Sequence, residues 1–252
     1  MDGVLADMDA ALARMAEQEF GVTPKAPSGG LPSLSLRPGK PPGYEGRKAD
    51  VKQDADHGAD DPKDQPPTSG PALLANLSAR QQTRLWQRVR DTRNFWETLD
   101  ECEAGTVRRI QKLAHEQRWD VLFVTQRPSS AGRTQQLQTQ HWLRRRGFEY
   151  PAVYTTQGSR GRIAASLPLD AHIDDRLDNC VDVASDSKAW PILVWRDAES
   201  FDRIRTGATS LGIAVVRTVG EALDKIEQAD RAASQPELPT LLDRLRRAFK
   251  AV

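Results

Sequence analysis

From Glu103 to Asp230 the chain alternates short apolar runs with longer segments of helical spacing, and this pattern constrains the fold most. The apolar runs are continuous, as expected of strands that are covered on both faces. They span residues 121–125, 153–155, 171–174, 192–195 and 213–217. Because helical segments separate them, we predict an α/β fold in which a parallel sheet lies in a three-layer arrangement between helices.

Composition excludes several classes of protein without choosing among the rest. A chain of 252 residues with 38% hydrophobic residues can bury a sizeable core. Its 36 basic and 35 acidic residues leave a net charge of +1, which indicates no general affinity for nucleic acid or acidic lipid. Two cysteines are too few for a disulfide framework. With no leader and no long apolar run, we expect no membrane association and a cytoplasmic location.

Residues 23–71 differ sharply in composition from the segments on either side. They are rich in proline and glycine and include an acidic patch at Asp54, Asp56, Asp60 and Asp61. Few apolar residues are present to offset the entropy of ordering this stretch, so we predict a disordered insertion. A flexible segment with no function of its own is the simplest interpretation, and binding of a protein partner is the alternative.

The segment 72–102 is expected to be helical and to form a small cap. Ser78 is a candidate N-cap for a helix over 79–90, in which Leu85 and Val89 share one face with Trp86. Phe95 and Trp96 follow this helix. Their rings are available either to stack on a substrate or to pack in the core, and aromatic residues at helical spacing are more often core.

Polar residues stand where two of the predicted strands end. The run 120–125 ends in Thr125, and the run 171–175 ends in Asp174 and Asp175. Ligands of parallel sheets bind beyond the carboxyl ends of the strands. Two adjacent carboxylates after an apolar strand are costly without a cation, so Asp174 and Asp175 are candidate metal ligands.

Four stretches, taken in order, resemble the motifs of the haloacid dehalogenase-like hydrolase superfamily. They are Asp2-Gly3-Val4-Leu5-Ala6-Asp7, Asp120 to Thr125, Ser159 to Ala164 with Arg160 in the place of the basic residue, and Ala171 to Asp175. The stretches Phe95-Trp96-Glu97, Thr125-Gln126-Arg127-Pro128 and Ile173-Asp174-Asp175-Arg176 are most similar to the 5'(3')-deoxyribonucleotidase-like group. The resemblance covers Met1 to about Gly21 and Asn94 to about Ile226.

The resemblance implies a Mg²⁺-dependent phosphomonoester hydrolase with a Rossmann-like core. The substrate would be a small phosphorylated metabolite, such as a (deoxy)nucleotide, and the reaction would pass through an aspartyl-phosphate. Asp2 would act as general acid and base, Thr125 would donate a hydrogen bond to the phosphoryl group, and Arg160 would neutralise its charge. The implied metal ligands are Asp2, Asp174 and Asp175. The implied substrate-binding residues are Gln126, Arg127, Phe95 and Trp96.

The resemblance also places the nucleophilic aspartate, with the first strand of the sheet, immediately before Met1. We therefore expect residues 1–22 to be the start of a core whose first strand precedes them, and residues 103–230 to be the rest of it. The alternative is an inactive protein of the same fold that binds a phosphorylated ligand or a protein partner.

Two further features allow weaker interpretations. Arginines at 80, 84, 88, 90 and 93 and at 144–146 could contact nucleic acid, but arginines near a helix C-terminus also complement its dipole, which we favour. Residues 231–252 are predicted to form an amphipathic C-terminal helix. Its apolar face would dock on the domain or on a partner, with a membrane surface as the less favoured alternative.

Overall fold

The computed structural model describes residues 1–21 and 77–234. The insertion predicted over residues 23–71 therefore lies outside the described residues. Of the C-terminal helix predicted over 231–252, only residues 231–234 are described, and they belong to the last helix of the domain. The described part has the mixed helix and strand order of an α/β fold. Its helices are α1 Met8–Phe20, α2 Ala79–Asp91, α3 Thr106–Gln117, α4 Gln135–Arg145, α5 Arg160–Ser166, α6 Leu177–Asp186, α7 Phe201–Thr209 and α8 Val219–Ser234, with a 3₁₀ turn at Phe95–Glu97.

The strands are parallel but lie in two sheets. They are β1 Leu122–Thr125, β2 Ala152–Thr155, β3 Ala171–Asp174, β4 Trp190–Val194 and β5 Ala214–Val216. In one sheet β1 pairs with β2, and in the other the order is β3, β4, β5. The sequence predicts the parallel arrangement but not the break, because its pattern indicates one continuous sheet. Among the described residues no strand joins β1 to β3.

The apolar run 192–195 lies largely in β4, which is buried because helices cover both of its faces. Ile192 and Val194 of β4 lie in a core cluster that also contains residues of α3 and α8. Leu193, which points the opposite way, belongs to a second cluster with residues of α6 and α7. A strand with two buried faces has no solvent side, which explains its unbroken apolar sequence.

Local signals account for where the N-terminal helices begin and end. Asp7 caps α1 by accepting a hydrogen bond from the backbone N–H of Ala10, and Gly21 ends it in the left-handed conformation. Ser78 caps α2 in a capping box with Gln81, in agreement with the sequence prediction. The helix α2 packs on α1, and its Leu85 belongs to the large core cluster.

Helices α5 and α6 approach each other closely at Gly161. A Cβ atom placed there would lie 2.3 Å from the backbone oxygen of Asp182. The backbone amide of Gly161 also donates to the Asp182 carboxylate at 2.9 Å. This contact holds the N-terminus of α5, where Arg160 stands, against the helix that follows Asp174.

We expect Gly161→Ala to destabilise the protein by about 1–3 kcal/mol, because the added methyl group overlaps backbone that cannot move away cheaply. Gly207→Ala is the matched control, since Gly207 lies in α7 and a methyl group there would meet no atom of the described residues within 4 Å. Alanine has the higher helix propensity, so this change should stabilise by about 0.5–1 kcal/mol. Urea denaturation of both variants tests the contact. Equal effects of the two substitutions would contradict it.

None of the helices in the described ranges 1–21 and 77–234 has the length and apolar character needed to cross a membrane.

Candidate functional site

Residues 1–3 lie between the carboxyl ends of β1 and β3. The N-terminal ammonium of Met1 donates to the backbone oxygen of Val124 at 3.4 Å. On the other side, Gly3 lies so close to Asp175 that a Cβ atom would be 1.9 Å from its Oδ2. Gly3 also has a φ of 75°, which favours glycine. The Asp2-Gly3 pair therefore bridges the ends of two strands that belong to different sheets.

Arg196 fixes the loop that follows Asp2. Its guanidinium donates to the backbone oxygens of Gly3 at 2.6 Å and Val4 at 3.1 Å. It also pairs with Glu103 at 2.7 Å, and Glu103 accepts the backbone N–H of Val219 at the start of α8. The loop is thus anchored to the region after β4 and to the N-terminus of a long helix.

The carboxylate of Asp2 is held by Thr125, the last residue of β1, and by Arg127, which follows the strand. Thr125, which is buried at the end of the strand, donates its hydroxyl to Oδ2 of Asp2 at 2.8 Å. Nε of Arg127 donates to both carboxylate oxygens at 3.0 and 2.9 Å, and Nη2 contacts Oδ1. Burial alone would raise the pKa of Asp2, but Arg127, the N-terminal ammonium and Thr125 together leave the pKa below its usual value.

Arg127 is the most enclosed cation of this cluster. Its side chain is fully buried, lies over the Trp96 ring at 4.9 Å and donates to Thr139 of α4 at 2.7 Å. The resemblance implies that Arg127 binds substrate. In the structure its guanidinium is instead shared between Asp2 and Thr139, so in this conformation it is not available to a ligand.

The resemblance also implies that Phe95 and Trp96 bind substrate, and the structure places them elsewhere. Both rings are buried in the core cluster, with exposed fractions of 3% and 0%. The indole N–H of Trp96 donates to the backbone oxygen of Pro128 at 3.1 Å. Because neither ring faces solvent, the core interpretation describes them and the stacking interpretation does not. Trp96 instead supports the guanidinium that holds Asp2.

Asp174 and Asp175 differ in their surroundings. The buried Asp174 accepts hydrogen bonds from the Arg176 backbone N–H at 2.9 Å and from Nδ2 of Asn179 at 3.0 and 3.1 Å, and it lies 3.3 Å from Nε2 of His172. Burial opposes its ionisation, but the contact with His172, the charge of the N-terminal ammonium and the hydrogen bond from the Arg176 amide lower the pKa of Asp174 overall.

The carboxylate of Asp175 lies close to the carboxylates of Asp174 and Asp2, which disfavour its ionised form. Burial and then the neighbouring Asp174 carboxylate raise the pKa of Asp175 to about 7, and Asp2 adds to the repulsion. It is half-buried, with its carboxylate facing Gly3. An ionised Asp175 is therefore the group at this site that would benefit most from a bound cation.

The carboxylates at this site can supply only part of the coordination shell of a magnesium ion. In the described ranges, no group of three or more His, Cys, Asp or Glu side chains is arranged to hold a metal. Both oxygens of Asp2 are engaged by Arg127, so its side chain is not free as a ligand. Mg²⁺ is commonly held by one or two carboxylates together with waters and substrate phosphate. Asp175, with Asp174 beside it, supplies that minimal set.

Arg160 and Gln126 border the same end of the strands. Arg160 begins α5, is buried and donates to the backbone oxygen of Gly158 at 3.3 Å. Burial lowers the pKa of its guanidinium, while the charge of Asp174 raises it, so the two groups interact. Gln126 directly follows β1 and is exposed to solvent. Of the residues implied to bind substrate, Gln126 is the one open to a ligand.

Sequence reasoning missed three residues that organise the site, namely Thr139, His172 and Arg196. His172 had a readable signal, because it stands two residues before Asp174 on a strand and therefore shares its face. Thr139 and Arg196 had none, since each reaches the site through tertiary packing.

Comparison of the chain with protein-family models, with curated proteins and with solved structures finds no match.

Proposed function

We propose that this chain carries the site of a Mg²⁺-dependent phosphomonoester hydrolase of the haloacid dehalogenase-like type, acting on a small phosphorylated metabolite. A (deoxy)nucleotide is the substrate that the resemblance favours. The observation that carries the proposal is the meeting of Asp2, Thr125 and the Asp174-Asp175 pair at the carboxyl ends of β1 and β3. These residues come from three separate stretches of the sequence, and their convergence supports a common role.

The break between the two sheets supports a further part of the proposal. β1 and β3 each end a sheet, and residues 1–3 lie between their carboxyl ends. We infer that a strand preceding Met1 in the natural protein pairs with both, which would complete one continuous three-layer fold. Such a strand would end beside Thr125 and Asp174. The aspartate implied to be the nucleophile would stand at that end.

Asp2 and Thr125 are suited to handle protons and phosphoryl oxygens. The contact with Arg127 favours the ionised form of Asp2, which can accept a proton from an attacking water. To protonate a leaving alkoxide, Asp2 must first take up a proton against this bias. The hydroxyl of Thr125 points at Asp2 and would be shared with a phosphoryl oxygen when substrate binds.

The charges around the site suit a phosphate group bound together with a cation. Mg²⁺, held by Asp175 with Asp174 beside it, would supply the positive charge that a phosphate monoester requires. Arg160 stands at the N-terminus of α5 and balances the charge of Asp174. The exposed Gln126 would contact the part of the substrate beyond the phosphate.

The decisive experiment is hydrolysis of p-nitrophenyl phosphate with Mg²⁺. It compares the chain from Met1 with a version extended upstream through its own reading frame. We expect turnover only in the extended version. In that version Asp2→Asn should lower kcat by about 10²- to 10⁴-fold, the usual contribution of a general acid or base.

Further variants of the extended version distinguish the proposed metal ligands from a nearby exposed carboxylate. Asp174→Asn and Asp175→Asn should each abolish the Mg²⁺-dependent activity. Asp178→Asn should leave kcat unchanged, because the Asp178 side chain is 74% exposed and pairs only with Arg176 at 3.9 Å among the described residues. An Asp174→Asn variant with intact metal-dependent activity would show our metal site to be wrong.

A protein of the same fold without catalysis is the second candidate. The observation that favours it is the tight engagement of Asp2, whose two oxygens already have partners. Inorganic phosphate binding, measured by calorimetry with Mg²⁺ present, together with no turnover in either version would establish this candidate in place of the enzyme.

A further inference from the structure

An apolar groove lies at the opposite end of the strands from the candidate site. Its volume is about 510 Å³, and it includes Leu122 and Ala152, the first residues of β1 and β2. The candidate site lies at the last residues of the strands. The two are therefore separate, and the groove takes no part in the chemistry proposed above.

The groove exposes apolar side chains that would be more stable when covered. Its apolar lining includes Ala114, Trp119, Leu122, Leu167 and Leu169, which are at least partly exposed, and Phe148, which is buried. Leu167 is 52% exposed, and Tyr150, which also lines the groove, is 87% exposed. Exposed apolar side chains gathered along a groove commonly mark a binding site for another segment or chain.

The C-terminal end of α8 lies beside this groove. The helix begins near the candidate site, where Glu103 accepts the backbone N–H of Val219, and runs toward the opposite end. There Asp230 accepts a hydrogen bond from the indole N–H of Trp119 at 3.2 Å. Trp119 lines the groove. Ser234 follows Asp230 by about one turn, or roughly 6 Å, so the chain leaves α8 at the groove.

The 18 residues after Ser234 have a pattern that matches such a surface. Apolar residues recur at helical spacing, at Leu238, Leu241, Leu242, Leu245 and Phe249. Pro239 is acceptable in the first turn of a helix. A helix over 239–252 would be about 21 Å long, and its apolar face would reach along the groove.

The charges around the groove are complementary to those of the segment after Ser234. Asp120 lines the groove, and the exposed Glu149 and Asp170 are adjacent in sequence to lining residues. Two basic residues, Lys112 and Arg118, are also adjacent in sequence to lining residues, but Lys112 is within 3.8 Å of Glu116, so acidic groups are in excess around the groove. The segment after Ser234 carries four basic residues off its apolar face, at Arg244, Arg246, Arg247 and Lys250. A basic helix in an acidic-rimmed groove is favoured over the same helix on a basic surface.

We propose that residues 239–252 form an amphipathic helix that docks in this groove and covers the amino ends of β1 and β2. Covalent attachment through α8 gives this segment a high effective concentration at the groove, commonly in the millimolar range for a short flexible connection. It therefore outcompetes a second copy of the chain for the same surface.

Hydrogen exchange of the full chain tests the proposal. In the parent protein, amides in 241–250 should exchange at least about tenfold more slowly than an unstructured peptide of that sequence. Leu167→Asp should remove most of this protection. Leu137→Asp is the matched control, because Leu137 is similarly exposed at 45% but lies on α4, and it should leave the protection unchanged.

A reciprocal measurement uses the groove itself. Leu245→Asp should make the fluorescence of Trp119 more accessible to acrylamide, and the effect should vanish in a Trp119→Phe background. Three outcomes would overturn the proposal. They are unprotected amides in 241–250, protection that survives Leu167→Asp, and protection that appears only at concentrations where the chain self-associates.

Discussion

Replacing Arg127 with methionine is expected to destabilise the protein by about 3–5 kcal/mol. The Arg127 side chain is completely buried and that of Asp2 is 11% exposed. Removing the cation therefore leaves an almost buried carboxylate without its ionic partner, and this is far more costly than the loss of a surface pair. Urea denaturation at pH 7 measures the change.

The pH dependence of this stability difference tests whether the ionised carboxylate of Asp2 is its cause. Burial and Arg127 act in opposite directions on Asp2, and the net effect is a pKa below its ordinary value of 3.8. A lowered native-state pKa contributes stability above the unfolded-state pKa, and this contribution is lost as the pH falls through the native-state value. The gap between the parent and Arg127→Met should thus be widest at neutral pH and shrink below about pH 4.

Arg14→Met is the matched control for this prediction. Arg14 pairs with Asp100 at 3.2 Å, but both side chains are largely exposed, so its loss should cost less than about 1 kcal/mol. The double variant Asp2→Asn with Arg127→Met should recover much of the lost stability, because no buried charge remains. If Arg127→Met cost no more than Arg14→Met, the central role of this pair would be refuted.

The helices and strands could be predicted because their signals are local. Continuous apolar runs marked β1 to β5, and Ser78 marked the start of α2. Boundaries shifted by a few residues, as at β4, where the apolar run spans 192–195 and the strand extends over Trp190–Val194. The sequence interpretation does not include α1, although Asp7 and Gly21 are ordinary capping residues.

The division into two sheets and the partners of the site residues could not be predicted, because they depend on contacts between distant segments. Arg127 lies next to Thr125 and Gln126 in sequence, so proximity to a substrate was a natural expectation. Its actual partners, Asp2 and Thr139, come from the N-terminus and from α4. Pairing of a buried cation is decided by which carboxylate the fold places nearby.

The relative roles of Asp174 and Asp175 also required the structure. From sequence alone, Asp174 and Asp175 are both candidate ligands, because they are adjacent carboxylates that follow an apolar run. Once folded, Asp174 is satisfied by Arg176, Asn179 and His172, whereas Asp175 faces other carboxylates. Two adjacent and identical residues therefore differ in their need for a cation, and this difference is measurable.

Asp175→Asn is expected to stabilise the protein at pH 8 when divalent cations are chelated. Burial and Asp174 raise the pKa of Asp175 from 3.8 to about 7. A raised native-state pKa means that stability is fully present below the unfolded-state value and is lost as the pH rises through about 7. At about 1.36 kcal/mol per pKa unit this amounts to at most roughly 4 kcal/mol, and partial exposure of the group makes about 2–4 kcal/mol the expected gain.

The same variant connects this electrostatic strain to cation binding. Mg²⁺ should stabilise the parent protein at pH 8, by about 2.7 kcal/mol at a hundredfold excess over its Kd, because it binds the ionised form of Asp175. Asp175→Asn should abolish this gain, and Asp178→Asn should preserve it. At pH 4 the parent and Asp175→Asn should unfold at nearly the same urea concentration. Equal stabilisation of all three proteins by Mg²⁺ would mean that the cation binds elsewhere, because Asp175 would then have no part in holding it.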